Sequence, residues 1–286
     1  MSYGIDATND QALAGIALAD NPNQLDTTLF TDCTQTQATV PLFLDGGNYY
    51  VNTANGGAFG NNTLIILNAF GYTGSSGAIS LQAGTTNNAT GYAYAGTSSN
   101  LLPGMPVPPS TGLITKYEYE TAIRLPAAIH SNTVRGTYRL GFQNSTTNTA
   151  PTRGVFFQFL CDGTTTDTTW RVVFVGSGGT TRVDTGVTVS INTTYRLYLS
   201  TEVNSDGVFT TNYKIKNMTT GTNTEGTASP GANSHYPTAN TDYIGSVTMN
   251  SKQVTATTTS ILLYVDYIGT RIRRPVFREI LIAPAP

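Results

Sequence analysis

The chain's carboxylates come closest to a catalytic spacing at Glu118 and Glu120, two apart in the run KYEYETAIRL. On an extended strand such residues share a face, roughly 6–7 Å apart along the backbone. A glycoside hydrolase sets an acid and a second carboxylate about 5–10 Å apart around the bond that it breaks. Hydrolysis of a sugar is therefore the chemistry to weigh here. No third carboxylate follows, however, and Lys116 and Arg124 fall on the same face. The pair reads as part of a solvated strand face, and no catalytic residue is assigned.

Other residues with chemical potential resolve in the same direction. Asp162, Asp167 and Trp170 share the run CDGTTTDTTW. A calcium site would need four or more oxygen ligands, whereas an Asp-Gly hairpin turn explains the same residues more simply. Trp170 could stack on a sugar, yet it opens an apolar strand and reads as core. His130 and His235 have no Cys or His at metal-ligand spacing, so neither a metal nor a cofactor is expected. Residues 176–179 (Gly-Ser-Gly-Gly) lack the following Lys and helix of a phosphate cradle. Asp266 stands in the apolar run SILLYVDYIGTRI, with Leu262, Tyr264 and Ile268 on its face and Ile261, Leu263, Val265 and Tyr267 on the other. A buried unpaired charge is very costly, so Asp266 is expected to be structural, accepting bonds from an arginine or a loop backbone and setting strand register. Arg271, Arg273, Arg274 and Arg278 form the strongest charge cluster. They are a candidate intersubunit contact, expected to meet the acidic first third of the same or a neighbouring chain.

The elements that must position these residues follow from composition. Only 11% of the 286 residues are charged, less than half of the roughly 25% of an average soluble protein. Lys and Glu together number nine, against 50 Thr, 29 Gly and 23 Asn. Long surface helices lack their usual residues, while Thr and Tyr suit pleated strands and Gly and Asn suit turns. A net charge of −2 without a basic run gives no footprint for nucleic acid. No apolar stretch approaches the roughly 20 residues of a membrane span. The opening MSYGIDATND lacks the basic and apolar regions of a secretion signal, so Cys33 and Cys161 are read as free, structural thiols.

Charge is uneven along the chain. Residues 1–115 contain no Lys, Arg or Glu, and their charges are six aspartates. Residues 1–38 show no sustained period of two and read as an extended N-terminal arm, with two helical turns at QALAGIALA capped by Asn9 or Asp10. Residues 39–286 read as one β-sandwich domain. Its candidate strands are 40–44, 63–70, 78–82, 91–95, 117–125, 137–143, 154–161, 169–175, 193–200, 208–216, 242–249, 260–272 and 275–283. Turns are expected at 161–164, 176–179 and 204–207. Strands this numerous with no helical interlude predict an all-β, antiparallel sandwich or jelly roll.

The series from Tyr117 to Arg273, through TYRLGFQ, GVFFQFLCDGTTTDTTWRVVFVGSGG, TTYRLYLS, VFTTNYKIKN and LLYVDYIGTRI, resembles the concanavalin-A-like jelly-roll structural proteins of tailed bacteriophages. The resemblance rests on strand and turn patterns and carries no catalytic signature. It implies an antiparallel two-sheet jelly-roll sandwich with an extended N-terminal arm, in a non-enzymatic virion protein on the capsid surface, made in the host cytoplasm: a decoration or cement protein. Its partners would be the major capsid protein and itself, as a homotrimer. A surface of Thr, Asn and Ser, losing little side-chain entropy on assembly, suits that role. The alternative is a tail-fibre, lectin-like module whose loops, at Asn48-Tyr49-Tyr50 or His235-Tyr236, recognise host glycans.

Overall fold

The computed structural model describes residues 24–31, 49–54, 58–60, 79–83, 88–95, 116–125, 135–145, 149–162, 164–176, 178–203, 209–230, 243–251 and 261–275. They form β1 (Gln24–Thr31), β2 (Tyr49–Ala54), β3 (Ala58–Gly60), β4 (Ile79–Gln82), β5 (Thr90–Ala95), β6 (Lys116–Leu125), β7 (Gly136–Gln143) and β8 (Gly154–Cys161). Then follow β9 (Thr169–Gly176), β10 (Gly179–Thr188), β11 (Thr193–Val203), β12 (Phe209–Asn217), β13 (Asn223–Ala228), β14 (Tyr243–Ser251) and β15 (Leu262–Pro275). An eight-stranded sheet runs β13-β12-β11-β6-β15-β4-β3, with β1 also on β15, and a seven-stranded sheet runs β10-β9-β8-β7-β14-β5-β2. All pairings are antiparallel. The protein is an all-β, two-sheet sandwich, as its composition predicts.

Alternation along the strands builds the core. Tyr119, Ile123 and Leu125 of β6 and Tyr195, Leu197 and Leu199 of β11 face Tyr138, Leu140 and Phe142 of β7, Phe157 and Phe159 of β8 and Trp170 and Phe174 of β9. Trp170 packs edge-on against Phe159 and Tyr195, with ring centroids at 6.2 and 5.7 Å, so it is core. The Tyr195 hydroxyl is pinned at one end of the sandwich, accepting from Ser190 N at 2.8 Å and donating to Thr188 O at 3.0 Å. Tyr119 reaches across the sheets and donates to Ser246 O at 3.1 Å. There the sheets approach so closely that only glycine fits: a methyl on Gly245 would run into Thr270 Cγ2.

Five strands lie outside the expected set: β2 and β3, which fall between the candidates at 40–44 and 63–70 with Tyr49 and Tyr50 in β2 instead of a loop, and β1, β10 and β13. β10 and β13 are the edge strands at one end of the two sheets, and both are largely exposed. With solvent against them they need no apolar stripe, so periodicity misses them. β1 lies within the segment read as an arm. It pairs with β15 from Gln24↔Pro275 to Thr31↔Ile268, on the same edge that β4 covers from Leu262 to Val265. The candidate strands at 40–44 and 63–70, the helical turns at 11–19 and most of 275–283 lie outside the described residues.

Candidate functional site

The outward face of the eight-stranded sheet carries a stripe of charge. On β6 the outward positions are Lys116, Glu118, Glu120, Ala122 and Arg124; β11 sets Glu202 opposite Lys116, Ser200 opposite Glu118 and Tyr198 opposite Glu120. Lys116 Nζ lies 3.2 Å from Glu118 Oε1 and 2.8 Å from Glu202 Oε1. The Tyr198 hydroxyl donates to Glu118 Oε1 at 2.8 Å, and Arg196 Nε donates to Glu120 Oε1. Burial, and then the charge of Glu118, push the Tyr198 phenol well above its ordinary value, which keeps it a donor.

This overturns the solvated-face expectation. Glu118 is 2% and Glu120 1% exposed, although Lys116 and Arg196 keep about a fifth of their side-chain surface. Alternation correctly separates the two faces of β6, but it counts charges without seeing that long cross-strand neighbours close over them. One oxygen of each carboxylate is engaged by a cation or phenol of its own sheet: Glu118 by Lys116 and Tyr198, and Glu120 by Arg196.

Register places two of the clustered arginines, Arg271 and Arg273, beside the same stripe. Arg271 is paired with Glu118 on one side and Thr28 on the other, and Arg273 with Lys116 and Asp26. Arg274 pairs with Leu25, and Arg278 lies outside the described residues. A basic segment near residue 270 and an aspartate of the acidic first third thus meet across one ladder within the chain.

Asp266 sits in a β-bulge. Val265 pairs with Ile123 and Tyr267 with Ala122, so two residues of β15 after Val265 span one step of β6. Asp266 is half-buried. The extra residue reverses the pleat. Ile268 joins Leu263 and Val265 in the core, so it does not share the Asp266 face as strict alternation predicts.

The outward face of the seven-stranded sheet holds a second polar row, missed in the sequence. Gln143 Nε2 donates to Ser246 Oγ at 2.7 Å and to Thr248 Oγ1 at 3.0 Å, and Thr90 Oγ1 donates to Asn250 Oδ1 at 3.1 Å. Arg139 is 2% exposed; its Nη1 donates to Thr149 O at 3.0 Å, from the β7–β8 connection, and burial lowers its pKa to about 10. Beside the row, Phe156, Val173 and Val175 form a small apolar patch. The signal was present: Arg139 and Gln143 alternate with Leu140 and Phe142, as Ser246, Thr248 and Asn250 do with Val247 and Met249.

The CDGTTTDTTW run is a turn closed by its own aspartates. Asp162 Oδ1 accepts from Thr164 N at 2.9 Å and Thr165 N at 2.7 Å. Asp167 Oδ2 accepts from Leu160 N at 2.9 Å and from Arg182 Nη2 at 2.5 Å, and Oδ1 lies 3.5 Å from Arg171 Nε. Gly176 at the end of β9 pairs with Gly179 at the start of β10. Cys161 is a free, buried thiol. Among the described residues no three His, Cys, Asp or Glu cluster to hold a metal ion, and no helix is long and apolar enough to cross a membrane. His130, His235, Tyr236 and Cys33 lie outside the described residues.

No family model and no curated protein matches this chain. Among solved structures, it is similar to a protein of unknown function from Shewanella oneidensis MR-1, at 13% identity and a TM-score of 0.58 over 97% of this chain and 98% of that one. Basic winged bean lectin, solved with Tn-antigen, is 7% identical with a TM-score of 0.51 over 88% of this chain and 100% of that one. Peanut lectin, solved with a nine-residue peptide, is 11% identical with a TM-score of 0.50 over 87% and 97%. At such identities the likeness is one of fold: the chain shares the two-sheet β-sandwich of these lectins.

Proposed function

We propose that this chain is a non-enzymatic structural protein of a virion, a decoration protein that cements the capsid by binding the major capsid protein as a homotrimer. The observation that carries the reading is the way the N-terminal segment is held: β1 adds to the body through a main-chain ladder on β15. Strand addition takes its affinity from backbone hydrogen bonds and needs no dedicated side-chain pocket, a bonding mode suited to an arm that must grip a large assembly. The carboxylates support the same reading, since Glu118, Glu120 and Asp167 serve as ion-pair partners. Multivalent attachment then lets weak contacts add through effective concentration.

A second reading is a lectin-like receptor-binding module. Its support is the lectin-like fold; of the residues expected in glycan-binding loops, Tyr49 and Tyr50 fall in strand β2 and His235 and Tyr236 lie outside the described residues. One experiment separates the two. Purified chain is mixed with capsids that lack it, sedimented and imaged by cryo-electron microscopy. Co-sedimentation with threefold density on the shell supports the cement role. Failure to bind shells, with binding to a glycan array, replaces it by the lectin reading.

A further inference from the structure

We propose that β10 is a self-pairing edge: two copies of this chain join antiparallel along it, about a twofold axis at Val183, so that the seven-stranded sheet continues from one copy into the next. The contact goes beyond the threefold association proposed above, because it uses one β10 from each of two copies. β10 ends the seven-stranded sheet, and among the described residues its strand partner is β9 alone. It is ten residues long and exposed except at Val183, Thr185 and Val187. Such an edge presents unpaired N–H and C=O groups to another strand, and proteins commonly blunt it with Lys, Pro or a bulge. Gly179–Asp184 holds neither Lys nor Pro, and the ladder irregularity begins only after Asp184.

The charges of the strand select a second copy as the partner. In a twofold contact residue i of one copy meets j of the other, and j meets i. Centred on Val183, Arg182 stands opposite the second copy's Asp184 on both sides of the axis, Thr181 stands opposite Thr185, and Val183 meets itself. Moving the centre by one residue sets Arg182 against Arg182 or Asp184 against Asp184, and like charges directly opposite are destabilising. Both side chains have bonding capacity left. Arg182 gives Nη2 to Asp167 with 31% of its side chain exposed, and Asp184 accepts from Arg171, Thr169 and Gly186 N with 50% exposed. A guanidinium carries five N–H donors and a carboxylate about four acceptor sites. Val183 is only partly buried against the core, and its symmetry mate covers the open side. β13, the other exposed edge, offers no such match: it is six residues long, and a pair centred on Glu225 or Gly226 sets Glu225 against itself or against Thr227.

The test is sedimentation velocity of the purified chain over rising concentration, with amide hydrogen exchange on the same samples. Association that grows with concentration, together with slowed exchange in peptides covering 179–185, is the expected result. Asp184→Lys turns both charge pairs into like pairs and should weaken association about tenfold or more. Glu225→Lys, on β13, should leave it unchanged. Circular dichroism checks that both variants keep their sheets; if Asp184→Lys does not fold, hydrogen exchange of the unmodified chain decides alone. A chain that stays monomeric overturns the proposal, and so does undiminished association of a folded Asp184→Lys variant. An oligomer in which 179–185 exchange as fast as in the monomer overturns it too, while leaving the threefold reading to stand on its own test.

Discussion

At the scale of single residues, the ion pairs differ in what they contribute. Arg196 holds a carboxylate that is almost fully buried, and removing one partner of such a pair strands the other. Arg196→Met is expected to cost about 2–4 kcal/mol, read from urea unfolding, and the double variant Glu120→Gln/Arg196→Met should recover most of the loss. A negligible cost for the single variant would contradict the buried-pair description. Lys214 and Glu225 lie 3.0 Å apart with about half of each side chain exposed, and Lys214→Ala should leave the urea midpoint unchanged. Asp184 gives a pH signature. Hydrogen bonds from Thr169 and Gly186 N, with Arg171 nearby, hold its carboxyl below the ordinary value. A carboxylate depressed in the folded state stabilises above its unfolded pKa, and that contribution is lost as pH falls through the lower folded value. The urea midpoint should therefore drop more steeply with acid below about pH 4 in the native chain than in Asp184→Asn; parallel curves would refute the assignment.

At the scale of elements, bulges and glycines decide which face each strand presents. The β15 bulge at Asp266 moves Ile268 into the core. A second shift in β14, between Tyr243 and Ser246, lies opposite Gly141, whose φ of +145° and contact with the Phe156 backbone leave no room for a side chain. Gly245→Ala should destabilise by about 1–3 kcal/mol, the usual cost of overpacking, because Thr270 and Tyr119 close on that position. A differential scanning experiment showing no fall in Tm would remove the close sheet approach as the reason for glycine there. Period-two patterning found the central strands because each divides an apolar face from a polar one. It missed β10 and β13, whose faces are open to water, β1, whose pairing is with distant β15, and the short β2 and β3, which lie in Gly- and Asn-rich sequence.

At the scale of the whole molecule, the topology joins distant parts of the chain. β1 pairs with β15, and β6 lies between β11 and β15. Non-local β pairing folds slowly because loop closure precedes its reward. Refolding from urea should take milliseconds to seconds, with Thr28→Pro at the β1 ladder raising aggregation by leaving the β15 edge open. Stopped-flow refolding faster than about a millisecond, or an unchanged light-scattering trace for Thr28→Pro, would count against this description.

The amino-acid sequence by itself determined the class and the central strands. Too few Lys and Glu remained to clothe helices, and Thr, Tyr and Gly placed at two-residue and turn spacing left a sandwich as the consistent outcome. It also separated the inward from the outward positions of β6, because alternation is a property of one strand alone. Tertiary structure alone decided what the outward residues do. Whether Glu118 faces water or is closed in by Lys116 and Tyr198 depends on strands far away in the chain, and whether Arg273 meets Asp26 depends on register between the two ends of the sequence. Local pattern sets what a residue can present; only pairing partners, chosen across the fold, set what it meets.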